Sequence, residues 1–506
     1  MLKSQLKIGA ALSYLVLGLQ NLVGLIYTPF MLRMMGKSEY GLYSIAASVV
    51  AYLTILDFGF GNAIVRYTAK YRAEGKLNEQ YKMFGMFFLL YCVVGVVTLI
   101  VGGILCCNAE RVFDAAMSVD ELRRTKLVLA LMVANLAITF PLSLFGSIIV
   151  AYEQFVFQKI VAIIRIFLNT ITMVVLLVLG YKAVAMVVVT TIFNLLSLGC
   201  NYLYCRRFLK IRLKFGRIQW GFLKEISVFS MWIFMSVVMD KVYWSTGQFV
   251  LGAYVGTAAV AVFAVAIQLQ RMYMGFSLAI SNVFLPKVTA MIVKNADEKV
   301  VSDLFLKTGR VQYCVIALIL SGFFLFGKSF IVLWAGSGYE DAYVISMIFF
   351  IPFTVDLIQN IGLVILQARN QVKFRSILSL LAALGSLGIQ IPLAKHYGGI
   401  GCAIGIAIGL VVAQVIVMNV YYKIRQKIDV FMFWMNIFKM SIMPIIMTFV
   451  CYLILQGFVI DSWQKWVACV GVYLVVYIPL FFLLSMNPFE RNLVKTPIIK
   501  ILKKIS

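Results

Sequence analysis

Apolar stretches of membrane-crossing length recur along the whole 506-residue chain, separated by short polar connectors. An α-helix rises 1.5 Å per residue, so ~20 apolar residues cross the ~30 Å hydrocarbon core of a bilayer. Stretches that meet this test centre near Leu22, Val50, Val94, Ala137, Leu168, Ile192 and Val237, then near Ala266, Leu318, Val355, Leu384, Leu410, Thr448 and Val472. They predict an all-α polytopic membrane protein with about 14 transmembrane helices. Backbone N–H and C=O groups in hydrocarbon must satisfy one another, and a helix does this within a single segment. Only 13% of residues are charged, about half the share of a soluble domain, which leaves little room for one. The longest polar intervals, near Asn108 to Arg124 and Cys205 to Glu225, read as connectors.

The formal charge of +25 would suit nucleic acid if it formed one stripe. Here the basic residues punctuate apolar spans, as they do in the cytoplasmic loops of membrane proteins. With the N-terminus placed inside, alternate loops and the tail collect 30 Lys and Arg residues. The other loops hold 8, namely Lys37, Arg111, Arg123, Arg124, Lys126, Lys182, Lys395 and Lys465. A missed or invented helix would scramble this contrast. It therefore supports both the helix number and cytoplasmic placement of both termini. The first apolar run follows Lys3 and Lys7 and continues to about Met35, longer than the core of a cleaved signal peptide, so it reads as a retained helix.

Nine cysteines lie in or beside apolar spans without CxxC spacing, and His396 is the sole histidine. Neither a metal site nor a disulfide framework is indicated, and no cofactor is implied. Gly322 to Ser329 fits the phosphate-loop pattern GxxxxGK[ST]. That loop must follow a strand and open a helix, whereas this segment sits inside an apolar span. Gly327-Lys328 is expected to mark a helix end, with Lys328 reaching outward.

The chain also repeats. A shift of 220 residues places Gly36 on Gly256, Tyr43 on Phe263, Ala46 on Ala266 and Asn62 on Asn282. A shift of 217 places Ala151, Gln154 and Phe157 on Ala368, Gln371 and Phe374. A shift of 218 places Asn201, Tyr204 and Arg207 on Asn419, Tyr422 and Arg425. An offset of six helices preserves direction, so these are parallel repeats, an arrangement that places substrate between the halves. The expected division is a six-helix bundle over 1–215, a second over 216–430, and two appended helices with a basic tail over 431–506.

Charged groups within the spans are the candidate site, because an intramembrane charge normally faces a polar cavity or a partner. Asp57, Asp240, Lys241, Arg271 and Asp356 lie deep, with Arg33 and Arg165 nearer helix ends. Helical spacing puts Gln268 beside Arg271, and groups Asp356 with Gln359 and Asn360, Asp240 with Trp244 and Gln248, and Gln20 with Gly24 and Thr28. The alternative for each is a structural ion pair or interhelical hydrogen bond. Cations, amides and flat rings together suit a polar, anionic and hydroxylated solute.

Two neighbouring stretches, Met35-Gly-Lys-Ser-Glu-Tyr-Gly-Leu-Tyr-Ser-Ile45 and Asp57-Phe-Gly-Phe-Gly-Asn-Ala-Ile-Val-Arg-Tyr67, resemble the polysaccharide and O-antigen flippases of the MOP exporter superfamily. The repeat partner Gly256 to Val265 resembles the same family's second-half opening. The chain departs from the family where Lys37 and Ser38 follow Gly36, since proline is frequent there. The resemblance implies flipping of an undecaprenyl-diphosphate-linked oligosaccharide, such as an O-antigen or capsular repeat unit, from the cytoplasmic to the outer leaflet of a bacterial inner membrane. Arg271 and Lys241 would then meet the diphosphate, with Gln268, Trp244, Gln248, Gln359, Asn360, Arg33 and Arg165 as further substrate contacts. Asp356, Asp57 and Asp240 are the candidates for gating or for proton or sodium coupling, Asp356 foremost. Membrane lipid and the polysaccharide polymerase machinery are the other partners implied, and no enzyme activity is. A cation-coupled multidrug exporter of the same superfamily, or a membrane glycosyltransferase or polymerase, are the competing functions.

Overall fold

The computed structural model describes residues 2–113, 117–216, 220–293, 297–369 and 371–493. Seventeen α-helices and no strands occur among them. In chain order these are α1 (Leu2–Leu53), α2 (Phe60–Ala73), α3 (Leu77–Cys107), α4 (Ala109–Phe113), α5 (Val119–Ala151), α6 (Phe155–Val178) and α7 (Ala183–Arg207). There follow α8 (Trp220–Trp244), α9 (Thr246–Tyr254), α10 (Thr257–Val293), α11 (Glu298–Ala335), α12 (Asp341–Ile358) and α13 (Asn360–Ala368). The chain ends with α14 (Lys373–Leu410), α15 (Met418–Ile424), α16 (Val430–Leu455) and α17 (Trp463–Leu484), with a π-helical stretch, Val411–Val417, between α14 and α15. All fourteen apolar centres expected from the sequence fall inside helices.

By length and composition, eleven stretches among the described residues are able to cross a membrane. Two of them, Leu15–Ala73 and Lys373–Ile424, run to 59 and 52 residues. A straight helix of that size would be more than twice the hydrocarbon thickness. Each is broken by a glycine outside helical geometry, Gly36 (φ 79°) in α1 and Gly398 (φ 56°) in α14. At Gly36 the break is one residue wide, so Lys37 and Ser38 already belong to the next helical limb. A single left-handed glycine makes this break. The expected end at Gly327 is not observed: α11 continues through Lys328 to Ala335, and Lys328 pairs with Glu340 at 3.3 Å. The GxxxxGK[ST] segment is therefore helix interior and cannot cradle phosphate.

The chain forms two compact units. One comprises Met1–Ala264 with Ile391–Cys402, the other Val265–Gln390 with Ala403–Ser506. In hydrocarbon, helices associate through close packing and small residues rather than by leaving water. Within the first unit α3 lies against α5 at Gly95, where a Cβ would come within 2.7 Å of the Ala137 carbonyl oxygen. Phe60, Phe87, Tyr91 and Phe140 fill the adjoining core, with Tyr91 and Phe140 stacked at 6.3 Å. Within the second unit Phe305 packs edge-on against both Tyr422 and Phe433, and Phe326, Tyr473 and Tyr477 join α11 to α17.

Local geometry recurs at the repeat offset and corrects one register. Phe157 stacks on Tyr204 at 3.8 Å, and Phe374 stacks on Tyr421 at 4.2 Å. The counterpart of Tyr204 is thus Tyr421, not Tyr422, and the offset there is 217. Two adjacent tyrosines made the sequence register ambiguous by one residue. Gly36 and Gly256 share a positive φ, as do Lys210 (51°) and Lys427 (52°).

Candidate functional site

In the first unit Asp57 lies at a helix break. A 3₁₀ turn, Thr54–Asp57, is followed by Phe58 (φ 51°) and Gly59 (φ 74°), both left-handed, before α2 begins. A bulky residue rarely adopts that conformation, so its surroundings must hold it. Phe58 stacks on Phe234 of α8 at 5.2 Å. Tyr91 of α3 donates to the Asp57 carboxylate at 2.8 Å. No cation among the described residues lies within ion-pair reach of Asp57.

Asp240 and Lys241, adjacent on α8, pair with each other at 3.5 Å, Lys241 being the less exposed. Trp244 ends α8 and Gln248 lies on α9, and Ser245 between them keeps right-handed helical geometry, its amide donating to the Lys241 carbonyl at 2.9 Å. Arg165 donates to Asn194 at 3.2 Å, and Asn194 in turn donates to Asn135 and Thr139. This makes Arg165 part of a polar seam through α5, α6 and α7. Arg33 is exposed on α1, one turn before Gly36, and Gln20 is exposed on the same helix while Thr28 is buried.

The second unit holds Gln268 and Arg271 on α10. Arg271 is exposed and has no ion pair among the described residues. Asp356 accepts from Arg375 of α14 at 2.9 Å, and Arg375 also reaches the Tyr422 hydroxyl at 3.5 Å. The ionic partner of Asp356 is therefore Arg375. The face shared by Asp356, Gln359 and Asn360 is also not kept, because α12 stops at Ile358 and α13 restarts at Asn360. Gln359 is buried and exchanges hydrogen bonds with Asn419 at 2.8 and 3.2 Å, while the Trp434 indole donates to the same Asn419 oxygen at 2.8 Å. This network adjoins the π-helical stretch, a geometry that recurs where a helix serves a functional site.

Sequence reasoning missed three clusters. Arg375 counted as a loop cation, yet its side chain is only 12% exposed. Arg310 sits well inside α11 and forms a bidentate pair with Glu490 at 2.5 and 3.0 Å, with Asn436 as a third partner. Its signal was available, since Arg310, Gln312 and Tyr313 carry polar groups into the start of the apolar run that continues from Cys314. Buried Glu39 accepts from Arg124, which also donates to Asp120 at 2.7 Å. Nearby, Glu121 accepts from Ser38 and Thr257, tying the Gly36 break to the starts of α5 and α10.

Cavities of 590 and 510 Å³ lie along α16, the larger lined by Tyr313, Ser321, Phe324, Thr448 and Tyr452. None of the residues expected from the sequence lines either one. Their walls are almost wholly apolar, as befits lipid-facing grooves. Among the described residues no group of three His, Cys, Asp or Glu could hold a metal ion.

A wholly helical fold among the described residues, with eleven stretches long and apolar enough to cross a membrane and with local geometry that recurs at a fixed offset, is that of a multi-pass membrane protein. The chain belongs to the polysaccharide biosynthesis protein family, whose profile matches residues 6–293. Among solved structures it is similar to the lipid II flippase MurJ in an inward closed conformation, with a TM-score of 0.73 at 15% identity, covering 94% of this chain and 98% of that one. An inward-facing multidrug resistance MATE family transporter of the MOP superfamily gives 0.62 at 15% identity, covering 80% and 98%. A MOP superfamily transporter from Pyrococcus furiosus gives 0.57 at 14%, covering 84% and 95%. At these identities the likeness carries the fold. No curated protein matches the sequence.

Proposed function

We propose that this protein flips an undecaprenyl-diphosphate-linked oligosaccharide, an O-antigen or capsular repeat unit, from the cytoplasmic to the outer leaflet of a bacterial inner membrane. The family match over 6–293 carries the reading, because polysaccharide assembly needs a lipid-linked sugar on the far side of the membrane. The fold shared with a lipid II flippase supports the same direction. So does Arg271, an exposed cation on a membrane-crossing helix that no acid neutralises among the described residues. A guanidinium left in that setting suits a phosphate, which it can grip bidentately.

The reading takes both termini as cytoplasmic and the chain as fourteen crossings: two six-helix repeats over 1–215 and 216–430, with an appended pair beyond. The two double-length stretches then count as two crossings each, and Trp220–Tyr254 adds one more. Lys241 assists Arg271 at the diphosphate, Gln268, Trp244 and Gln248 meet the sugars, and the polymerase machinery takes the product. Alternating access moves the headgroup while the lipid tail stays in the bilayer.

One observation favours the competing exporter reading: Asp57 is an acid without a cation partner among the described residues, as a carrier of organic cations would need. The two are separated in proteoliposomes. Translocation of chemically unchanged lipid-linked oligosaccharide, with no uptake of an organic cation, supports the flippase. The reverse pattern would overturn it.

A further inference from the structure

The segment from Phe208 to Phe215, which follows α7, turns through Lys210 (φ 51°) and runs on as a strap with two faces. Leu209, Ile211 and Leu213 pack into the core of the first unit, Ile211 being 8% exposed. Lys210, Arg212 and Lys214 are exposed between them. The backbone fixes this alternation: the Leu209 amide donates to the Tyr204 carbonyl, Ile211 to Cys205, and Lys214 to Tyr81 of α3. The absent side chain of Gly85 makes room for the Lys214 carbonyl. Phe208 and Phe215 flank the cations and are 73% and 60% exposed. Exposed rings beside a basic row are the composition of a membrane interface.

The same turn occurs again 217 residues later, which shows what the fold itself requires. Gln426 donates to Tyr421 and Ile428 to Tyr422, reproducing the bonds of Leu209 and Ile211. Ile428 is buried as Ile211 is. The charges differ. Lys427 is neutralised by Glu298 at 3.2 Å, and the position of Arg212 holds Asp429, whose side chain caps α16. The turn thus forms without a row of free cations. In the first strap Lys210 and Arg212 have no carboxylate partner among the described residues, so their charge is surplus to the architecture.

We propose that the strap is a binding site for anionic phospholipid headgroups of the leaflet at that end of the bundle. Lys210 and Arg212 are long side chains in an exposed row flanked by rings, so each can meet a separate phosphate headgroup at the bilayer face. The inference is independent of which substrate the protein carries.

The test uses the full chain in nanodiscs of phosphatidylcholine with and without phosphatidylglycerol. Native mass spectrometry counts retained lipid, and hydrogen exchange reads amides 209–214. Wild type should retain phosphatidylglycerol and slow exchange at the strap, less so at high salt. K210Q/R212Q removes two exposed cations without hydrogen-bond partners, so its thermal unfolding should be unchanged. Its retention of phosphatidylglycerol should fall roughly tenfold or more. K299Q/K423Q/R425Q, which removes three exposed cations of the second unit, should leave retention intact. Equal retention by K210Q/R212Q, or equal loss in the second variant, would overturn the proposal. So would strap protection by inorganic pyrophosphate but not by phosphatidylglycerol, which would assign the cations to a diphosphate.

Discussion

Arg375 closes the charge of Asp356 across 2.9 Å, with the two side chains only 12% and 21% exposed. Removing one member of a pair so placed leaves a buried charge, whereas removing both leaves none. Arg375→Ala should therefore lower stability by about 3–5 kcal/mol, and D356N combined with R375Q should recover most of the loss. Thermal unfolding in detergent measures both. If the double variant is no better than the single one, the pair is not a unit.

The pairing also bears on energy coupling. A carboxylate already matched by arginine is a poor exchanger of protons or sodium. Asp57, held by the Tyr91 hydroxyl with no cation in ion-pair reach among the described residues, is the better placed acid. Flipping in proteoliposomes under an imposed proton or sodium gradient should lose its gradient dependence in Asp57→Asn and keep it in Tyr91→Phe. Gradient dependence that disappears with Asp356→Asn alone would return the role to the second unit.

Arg271 has no acid partner among the described residues, so Arg271→Ala should fold and insert at normal yield while flipping drops by roughly ten- to a hundredfold, the scale of a lost hydrogen bond to a charged group. Arg271→Lys should recover part of the rate, because it keeps the charge without the planar fork. Normal transport by the alanine variant would remove Arg271 from the substrate path.

Arg310 predicts the opposite pattern. Its two bonds to Glu490 anchor the segment after α17, and Asn487 caps that turn by accepting from the Glu490 amide at 2.9 Å. Arg310→Ala should lower folded yield and expose the segment around Glu490 to protease before any direct effect on substrate binding. Intact protease resistance in this variant would show the pair to be dispensable.

Orientation is open to chemical labelling once the nine native cysteines are replaced. Single cysteines at Lys214 and Lys373 should resist an impermeant thiol reagent in intact cells, and one at Asp120 should react. Labelling of the first two would reverse the topology.

Helix positions were legible in the sequence because apolar length alone decides them: every expected centre lies in a helix. Partners were not, because they depend on which helices meet. Arg375 looked like a loop cation only two residues into α14, and its burial is set by Asp356 and Tyr422 on other helices. Asp356 and Gln359 looked like neighbours on one face until a break at Gln359 sent them to different partners. The repeat was visible as scattered identities, yet its register at Tyr204 needed the stacked rings to choose between two adjacent tyrosines. The Gly36 reversal was marked by a glycine, but its one-residue width was not.

The interruption between Asp57 and Phe60 has an electrostatic consequence. A helix that restarts within a membrane-crossing stretch presents unbonded amides at its first turn, equivalent to about half a positive charge. In water that charge is screened, but in hydrocarbon it acts at nearly full strength. α2 starts three residues after Asp57, which brings its first-turn amides close to that carboxylate along the chain. A gap in the backbone ladder thus does work usually left to a lysine or arginine. Unlike a side chain, it can be switched off by rotation of two residues, Phe58 and Gly59, that would restore the continuous helix.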